Sequence, residues 1–306
     1  MNFIPVRIST IRGNSTLLFD VFLNLEERYV KYKKANETFE YDRLERFFSK
    51  GIKKVFIDQS QEPNYLKYLE AGLEALSNAD VKKEDRAVIA HGTLNSEAEH
   101  IEKNLDNEAS YKATTDRIEK VIDFVTTNPE TLKTMLGQAG ISVDNSQHSA
   151  TLASMSIAVA SKLGVTDQNE LMSMSLAALL HDIGKEKLGF EPSITIGKVA
   201  KEDLAKFKKH GEAAVESLAG KRYITPRVLR IIQDHEEIGD GQGYPEKKKV
   251  GKLPLSSQAF NMCNLFDHFS MENQLEINGD AFKKFNNKYP FYFDGKLIAA
   301  LGELIR

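Results

Sequence analysis

A short apolar run that leads directly into a histidine and an aspartate constrains this chain more than any other feature. Residues 176–180 read Leu-Ala-Ala-Leu-Leu and are followed at once by His181 and Asp182. A run with no polar face must be buried on all sides, so it carries both side chains into the interior. Burying a carboxylate beside an imidazole is costly unless a cation compensates them. The segment therefore predicts a core helix that ends at a metal site.

The region around this run has the periodicity of a helical domain. Apolar residues between positions 144 and 306 recur near helical spacing, with breaks at Gly164, Gly184, Gly220 and positions 239–243. No alternation in this region is long enough to predict a sheet. Adjacent helix residues point about 100° apart, so His181 and Asp182 can reach one ion only where the helix ends, and we expect Gly184 to permit that ending. These patterns predict an all-α domain over residues 142–306.

Three further histidines fall on the apolar faces of other helices. His148, His210 and His235 share their faces with apolar residues at helical spacing, so all three are expected to point inward. A lone inward histidine is more often a hydrogen-bonded core residue than a ligand, but the buried His-Asp pair favours a convergent metal site. Two later polar positions can add ligands. Asp234 directly precedes His235, and Asn264 and Asp267 project together from the apolar segment around residue 260, where either could close the site.

The number and type of these side chains indicate the chemistry. Imidazoles mixed with carboxylates suit iron, manganese or zinc. The six candidate ligands are His148, His181, Asp182, His210, Asp234 and His235. They are too many for one catalytic ion that keeps a coordination position open, so we expect two metal ions. A metal pair bridged by a carboxylate and a hydroxide serves in-line attack on phosphorus. Lys185 lies one turn after His181 and is placed to meet a phosphate oxygen.

Charge and composition exclude other classes. A formal net charge of −3 and a pI near 6.2 disfavour DNA or RNA partners, which require a broad basic surface. The single cysteine, Cys263, cannot form an internal disulfide and suits a reducing compartment. No apolar run is long enough to span a membrane, and no signal-peptide pattern opens the chain. We therefore expect a cytoplasmic protein without a membrane partner.

The first half of the chain predicts a small α+β domain followed by a connector. Residues 1–80 contain a predicted hairpin with its turn at Glu26-Glu27, a helix over residues 41–49 and a strand at 54–57. We expect this domain to be regulatory or structural. Residues 81–141 favour helix, with an apolar stripe that either packs on its own chain or forms a coiled coil in a homodimer. The predicted fold class is thus mainly α, with an α+β domain, a helical connector and an all-α domain.

Two motifs in the helical domain identify a family resemblance. They are His181-Asp182-Ile183-Gly184-Lys185 and the run from Asp234-His235-Glu236 to Asp240-Gly241-Gln242-Gly243-Tyr244-Pro245. With these motifs the chain resembles the HD-GYP family, HD-superfamily phosphodiesterases that act on cyclic di-GMP. The resemblance implies a metal site formed by His148, His181, Asp182, His210, Asp234, His235 and Asn264. It also implies that Asp182 bridges two ions, that iron or manganese is bound, and that Lys185 and Tyr244 contact substrate.

The chain departs from the family pattern at several positions. Asp234 stands where the family has the first histidine of His-His-Glu, and the neutral Asn264 stands where it has a metal-binding aspartate. One extra residue, at positions 237–239, precedes the Gly-rich loop and could displace Tyr244. The Arg-Pro-Tyr segment that holds substrate phosphates in the family is replaced by residues 271–274. Metal binding is expected to tolerate these changes better than substrate turnover does.

Three functions follow from the resemblance. The first is hydrolysis of cyclic di-GMP to its linear form or to GMP. The second is a catalytically weak module that binds the dinucleotide or docks a diguanylate cyclase of the GGDEF type through the Gly-rich loop. The third is an HD phosphohydrolase for another nucleotide. The same loop could also be only a surface turn.

Overall fold

The computed structural model divides the chain into two compact units, Met1–Ser96 and Glu97–Arg306. It describes residues 2–306, without the side chains at positions 45, 48, 102, 103, 104 and 138. The first unit mixes strands and helices and the second is helical, which confirms the predicted fold class. The division between the units falls inside a helix, α3 (Lys83–Asn104). The functional boundaries at residues 80 and 141 remain our proposal.

The first unit is built on a four-stranded antiparallel sheet. Its elements are β1 (Phe3–Arg7), β2 (Ser15–Thr16), β3 (Val21–Leu25), β4 (Arg28–Lys33), β5 (Thr38–Phe39), α1 (Tyr41–Ser49), β6 (Lys54–Asp58) and α2 (Glu62–Ala75). The strand order is β1-β6-β3-β4, and β2 pairs with β5 separately. The predicted hairpin is confirmed, because β3 and β4 join through Glu26 and Glu27 at φ values of 48° and 66°. Two successive left-handed residues match the twist of a tight hairpin.

The core of this unit lies beneath the sheet and the predicted helix. Val6 on β1 is paired with Val55 on β6, and both are buried. Leu44 and Phe47 add the apolar face of α1 to the same cluster. The unit therefore has a hydrophobic core of its own.

The second unit packs its helices around two that are buried almost throughout. Its helices are α4 (Glu108–Thr127), α5 (Leu132–Ala139), α6 (Asn145–Lys162), α7 (Gln168–Leu180), α8 (Ile183–Lys187), α9 (Leu204–Phe207), α10 (His210–Leu218), α11 (Pro226–Asp234), α12 (Leu255–Asn273), α13 (Gly279–Lys288) and α14 (Gly295–Ile305). The central pair, α6 and α7, pack against each other and against α4 and α12. This burial matches the apolar sequence of residues 176–180 at the end of α7.

The second half of the predicted connector, α4, packs within the second unit. Ile118, Ile122 and Val125 on α4 are buried, and α4 contacts α6 and α7. The apolar residues of α4 are thus covered within the second unit. A homodimer of the protein stays a prediction. Among the helices of residues 2–306, none combines the length and the apolar composition needed to cross a membrane.

Candidate metal centre

A close approach of two helices places the His-Asp pair. Helix α7 ends at Leu180, His181 caps it, and Asp182 precedes α8. The helix therefore ends at the pair as expected, but the expected role of Gly184 in that ending was wrong, because Gly184 lies within α8. A Cβ at this position would stand 1.9 Å from the carbonyl oxygen of His210. Glycine therefore allows α8 to lie directly on α10, which brings Asp182 to His210.

The four predicted histidine ligands are buried and similarly oriented. His148, His181, His210 and His235 are each at most 1% exposed, which confirms that they point inward. Three of them direct Nδ1 to the carbonyl oxygen three residues earlier: the contacts are His181 to Ala178 at 3.0 Å, His210 to Phe207 at 2.9 Å and His235 to Ile232 at 2.6 Å. A carbonyl only accepts, so Nδ1 carries the proton in these rings and Nε2 keeps its lone pair.

The ring of His148, the fourth of these histidines, is oriented by a carboxylate instead of a carbonyl group. His148 Nδ1 lies 2.6 Å from Asp267 Oδ2, across 119 residues of chain. Asp267 was one of two candidates to close the site, and the structure places it behind His148. A carboxylate in this position fixes the ring and raises the basicity of the opposite nitrogen.

The Nε2 atoms of the four histidines face one another in pairs. Their arrangement shows whether the residues present could hold a metal ion. His148 Nε2 is 3.1 Å from His181 Nε2, and His210 Nε2 is 2.9 Å from His235 Nε2. With its protons on Nδ1, the pair formed by His210 and His235 presents two lone pairs that cannot hydrogen-bond to each other. Burial lowers the pKa of His210 to about 4 and lowers the pKa of His181 and His235, so these rings stay neutral. Neutral imidazoles whose unprotonated nitrogens converge on one point form a donor set that suits a divalent cation.

Asp182 lies between the two histidine pairs. Its Oδ2 is 3.3 Å from His181 Nε2, and its Oδ1 is 3.7 Å from His210 Nε2. Oδ1 is buried without a hydrogen-bond partner, whereas Oδ2 accepts from Lys185 Nζ at 2.7 Å. Burial alone would raise the pKa of Asp182, but the positive charge of Lys185 beside it helps to hold that pKa well below its usual range. The carboxylate is therefore ionised and presents one oxygen to each pair.

Glu236 joins the His210 side of the centre. Its Oε1 lies 3.9 Å from His210 Nε2 and 3.7 Å from His235 Nε2. Burial raises the pKa of Glu236 to about 7. Burial and the nearby Glu236 carboxylate together raise the pKa of Tyr244 well above its usual value. The ring of Tyr244 lies 6.1 Å from that of His210, so the Gly-rich loop brings it to the edge of the centre.

Asp234 has a different partner. Its Oδ1 is 2.7 Å from Lys248 Nζ, and the carboxylate is almost fully buried. Next along the chain, Glu237 accepts the backbone N–H groups of Glu246 and Lys248 at 2.7 and 2.8 Å. The segment with the extra residue, positions 237–239, thus helps to fix the Gly-rich loop through hydrogen bonds to the residues that follow it. Asp234 belongs to none of the three groups of possible ligands found among the described residues.

Those three groups include two side chains that the sequence interpretation did not select. The groups are His148 with Asp182 and His268, His181 with Asp182 and His235, and His210 with His235 and Glu236. Glu236 and His268 are therefore additions. Glu236 stands in the His-Glu motif, and His268 follows Asn264 by one helical turn, so helical spacing was the available signal. Asn264 itself is buried and its Oδ1 has no hydrogen-bond partner.

Comparison with known proteins agrees with this architecture. The model of an HD domain matches residues 126–297. A solved structure, "Bd1817, a HDG"Y"P protein from Bdellovibrio bacteriovorus", is similar over 99% of both chains, with a TM-score of 0.81 and 25% identity. The similarity thus extends over both units of the present chain.

Curated relatives match over shorter segments. The cyclic di-GMP phosphodiesterase response regulator RpfG from Xanthomonas campestris is 30% identical over 111 residues, which cover 36% of this chain and 29% of RpfG. The cyclic di-GMP phosphodiesterase PA4108 from Pseudomonas aeruginosa is 25% identical over 134 residues, 44% of this chain and 32% of that protein. A 3'3'-cGAMP-specific phosphodiesterase 2 from Vibrio cholerae is 30% identical over 101 residues, 33% and 19% of the two chains. The chain thus spans less than a third of the length of these relatives. Its HD-domain match, its ordered histidine pairs and its full-length structural likeness show that it belongs to the HD-domain family, as a divergent HD-GYP member.

Proposed function

We propose that this protein is a metal-dependent phosphodiesterase that hydrolyses a cyclic dinucleotide, with cyclic di-GMP as the first candidate. The observation that carries the proposal is the ionised Asp182, whose two oxygens face two pairs of histidines. The relatives named as cyclic di-GMP and cGAMP phosphodiesterases support the substrate class.

Two ions would be held by the two halves of this centre. His148, His181 and Asp182 would hold the first, and His210, His235 and Asp182 the second. We retain Asn264 as a ligand through its unpartnered Oδ1, and we propose Glu236 in place of Asp234, which is paired with Lys248. Imidazole-rich sites favour iron over manganese. When bound, such a metal pair supplies an activated water and neutralises charge that develops on phosphorus.

The chain's own residues would position the substrate around this centre. Lys185 Nζ is 2.7 Å from Asp182, so its ammonium group lies where a phosphate oxygen held at the centre would come into reach. Tyr244 stands at the loop edge beside Glu236, and we propose that it contacts the substrate. The buried ring nitrogens and carbonyls around them keep the ligand geometry fixed before substrate arrives.

The test is metal analysis of protein purified without air, followed by an assay on the same sample. We expect divalent metal and hydrolysis of cyclic di-GMP, with 3'3'-cGAMP and linear dinucleotides as the comparison substrates. His181→Ala and Asp182→Ala should lose both metal and turnover, whereas His100→Ala, at an exposed histidine, should retain them. Metal-loaded protein that hydrolyses none of these nucleotides would refute the enzyme proposal.

A second function has its own support. Asn264 is a neutral ligand, and the place of the phosphate-holding arginine segment is taken by residues 271–274, where Glu272 accepts the N–H of Gly197 at 3.1 Å. These features favour a module that binds a cyclic dinucleotide, or a diguanylate cyclase through the Gly-rich loop, with little turnover. Calorimetric binding without hydrolysis, together with turnover gained in Asn264→Asp, would establish it. Equal turnover in the two proteins would remove its main support.

A further inference from the structure

His268 is a buried histidine beside the candidate centre. It lies on α12 one turn after Asn264 and is only 7% exposed. Its ring stacks on that of His148, with centroids 4.7 Å apart and an interplanar angle of 20°. One ring nitrogen of His268, Nε2 or Nδ1, lies within 4.8 Å of ligand atoms of both His148 and Asp182.

His268 differs from the other histidines of this centre in its polar contacts. The four other histidines of this centre each engage Nδ1 with a carbonyl or a carboxylate. None of the hydrogen bonds found among the described residues involves His268. Stacking on His148 accounts for the position of its ring, and no hydrogen bond within the described residues accounts for the direction of its nitrogens.

We infer that His268 is a metal ligand of the half-centre formed by His148, His181 and Asp182. The inference deepens the proposed function and rests on its metal centre. Asn264 has only an amide oxygen to offer a metal ion, a weaker donor than a carboxylate. The imidazole of His268, one turn further along the same helix, supplies a stronger donor on the same side.

Ligation by His268 instead of a second carboxylate changes the charge and the metal preference of this half-centre. A neutral nitrogen donor beside an amide oxygen makes the site less negative than a second carboxylate would. Imidazole ligands suit iron, cobalt and zinc, whereas carboxylate and carbonyl oxygens suit manganese and magnesium. We therefore expect this half of the centre to discriminate against manganese, and His268 to be the cause.

The experiment compares metal binding in the full-length protein and two variants. His268→Phe keeps an aromatic ring against His148 and removes the donor nitrogens, and His268→Ala removes both. His100→Ala is the matched control at an exposed histidine. Cobalt is titrated into apoprotein and followed by its visible absorption, affinity is measured by competition with a chelator, and circular dichroism checks folding.

Wild-type protein should bind two cobalt ions. Both His268 variants should bind one of them at least about 100-fold more weakly, beyond the roughly 10- to 100-fold that loss of a group behind a ligand costs. The cobalt spectrum should change and the preference for cobalt over manganese should become smaller. An unchanged spectrum and affinity in a folded His268→Phe protein would overturn the inference while leaving the metal centre intact. Absence of cobalt binding by the wild-type protein would instead refute the centre itself.

Discussion

At the scale of single residues, Lys185 is a buried cation whose one ionic partner among the described side chains is Asp182. Both side chains are about 1% exposed and their charged atoms are 2.7 Å apart. Removing one member of a buried ion pair costs about 3–5 kcal/mol, because the other charge is left uncompensated. A bound cation would compensate Asp182 in its place.

Lys185→Met should therefore destabilise the metal-free protein much more than the metal-loaded protein. Turnover of the loaded variant should fall about 100-fold or more, as when an electrostatic contact to the reacting group is lost. Melting temperatures with metal and with chelator measure the first effect. Lys187→Met, at an exposed position of the same helix, is the control. Equal destabilisation of the metal-free and metal-loaded proteins would show that a bound metal ion does not compensate the charge of Asp182.

His91 is a buried histidine of the first unit with both ring nitrogens unpartnered. Burial alone lowers its pKa to about 4 from an ordinary 6.5. In the unfolded chain it binds a proton below pH 6.5, while in the folded chain it stays neutral down to about pH 4. Stability is thus highest above pH 6.5 and is lost as the pH falls from 6.5 towards 4.

His91→Leu should remove this contribution to the pH dependence. Between pH 7.5 and pH 5, the wild-type protein should lose about 2 kcal/mol more unfolding free energy than the variant does. Urea unfolding followed by circular dichroism at both pH values gives the difference. If both proteins lose the same amount, His91 does not carry this dependence.

At the scale of elements, helix ends orient most of the ligands. Helix termini leave carbonyl groups without intrahelical partners. His181 and His235 cap α7 and α11, and each directs Nδ1 to a carbonyl of the last turn. His210 opens α10 and uses the last carbonyl of α9. The same groups that end the helices therefore fix the tautomers of three ligands.

The contact between α8 and α10 depends on one glycine. Gly184→Ala would place a methyl group 1.9 Å from the His210 carbonyl and 2.7 Å from the Ala214 nitrogen, so the helices must separate. We expect a loss of about 1–3 kcal/mol or more in stability, together with weaker metal binding, because Asp182 and His210 move apart. Thermal melting and metal competition measure both effects.

Gly137→Ala is the matched control for this substitution. Gly137 lies within α5 and has no atom within 4 Å of an added Cβ. Alanine there should stabilise the helix by about 0.5–1 kcal/mol. A Gly184→Ala protein as stable and as well metallated as Gly137→Ala would contradict the proposed role of the contact.

At the scale of the whole molecule, metal removal should affect the two units unequally. The candidate ligands lie in Glu97–Arg306, whereas Met1–Ser96 has its own core. A ligand at 100 times its dissociation constant adds about 2.7 kcal/mol to the state that binds it. Chelation should therefore speed amide exchange at the end of α7, in α8 and at the start of α10, and leave β1, β3 and β6 protected.

Hydrogen exchange followed by mass spectrometry measures this pattern. His181→Ala should show the fast exchange of the chelated protein without any chelator. A uniform change over both units, or none after the metal is removed, would count against a centre confined to the second unit.

The sequence alone determined the classes of structure and the direction of the side chains. Alternation and turn residues were enough for the β3–β4 hairpin, and helical spacing was enough for α1 and for the burial of the four histidines. These are local properties, because periodicity states which face of an element is apolar. The apolar run before His181 also indicated a buried charged site.

Only the tertiary structure decided which inward side chains meet. Asp267 contacts His148 at a sequence separation of 119 residues, and Asp234 forms an ion pair with Lys248 at a separation of 14 residues. Gly184 serves the approach of α8 to α10 instead of ending a helix, and Glu236 and His268 join the centre through the packing of α11 and α12. Periodicity cannot state which face of another helix lies opposite, and a metal centre is defined by distances between helices.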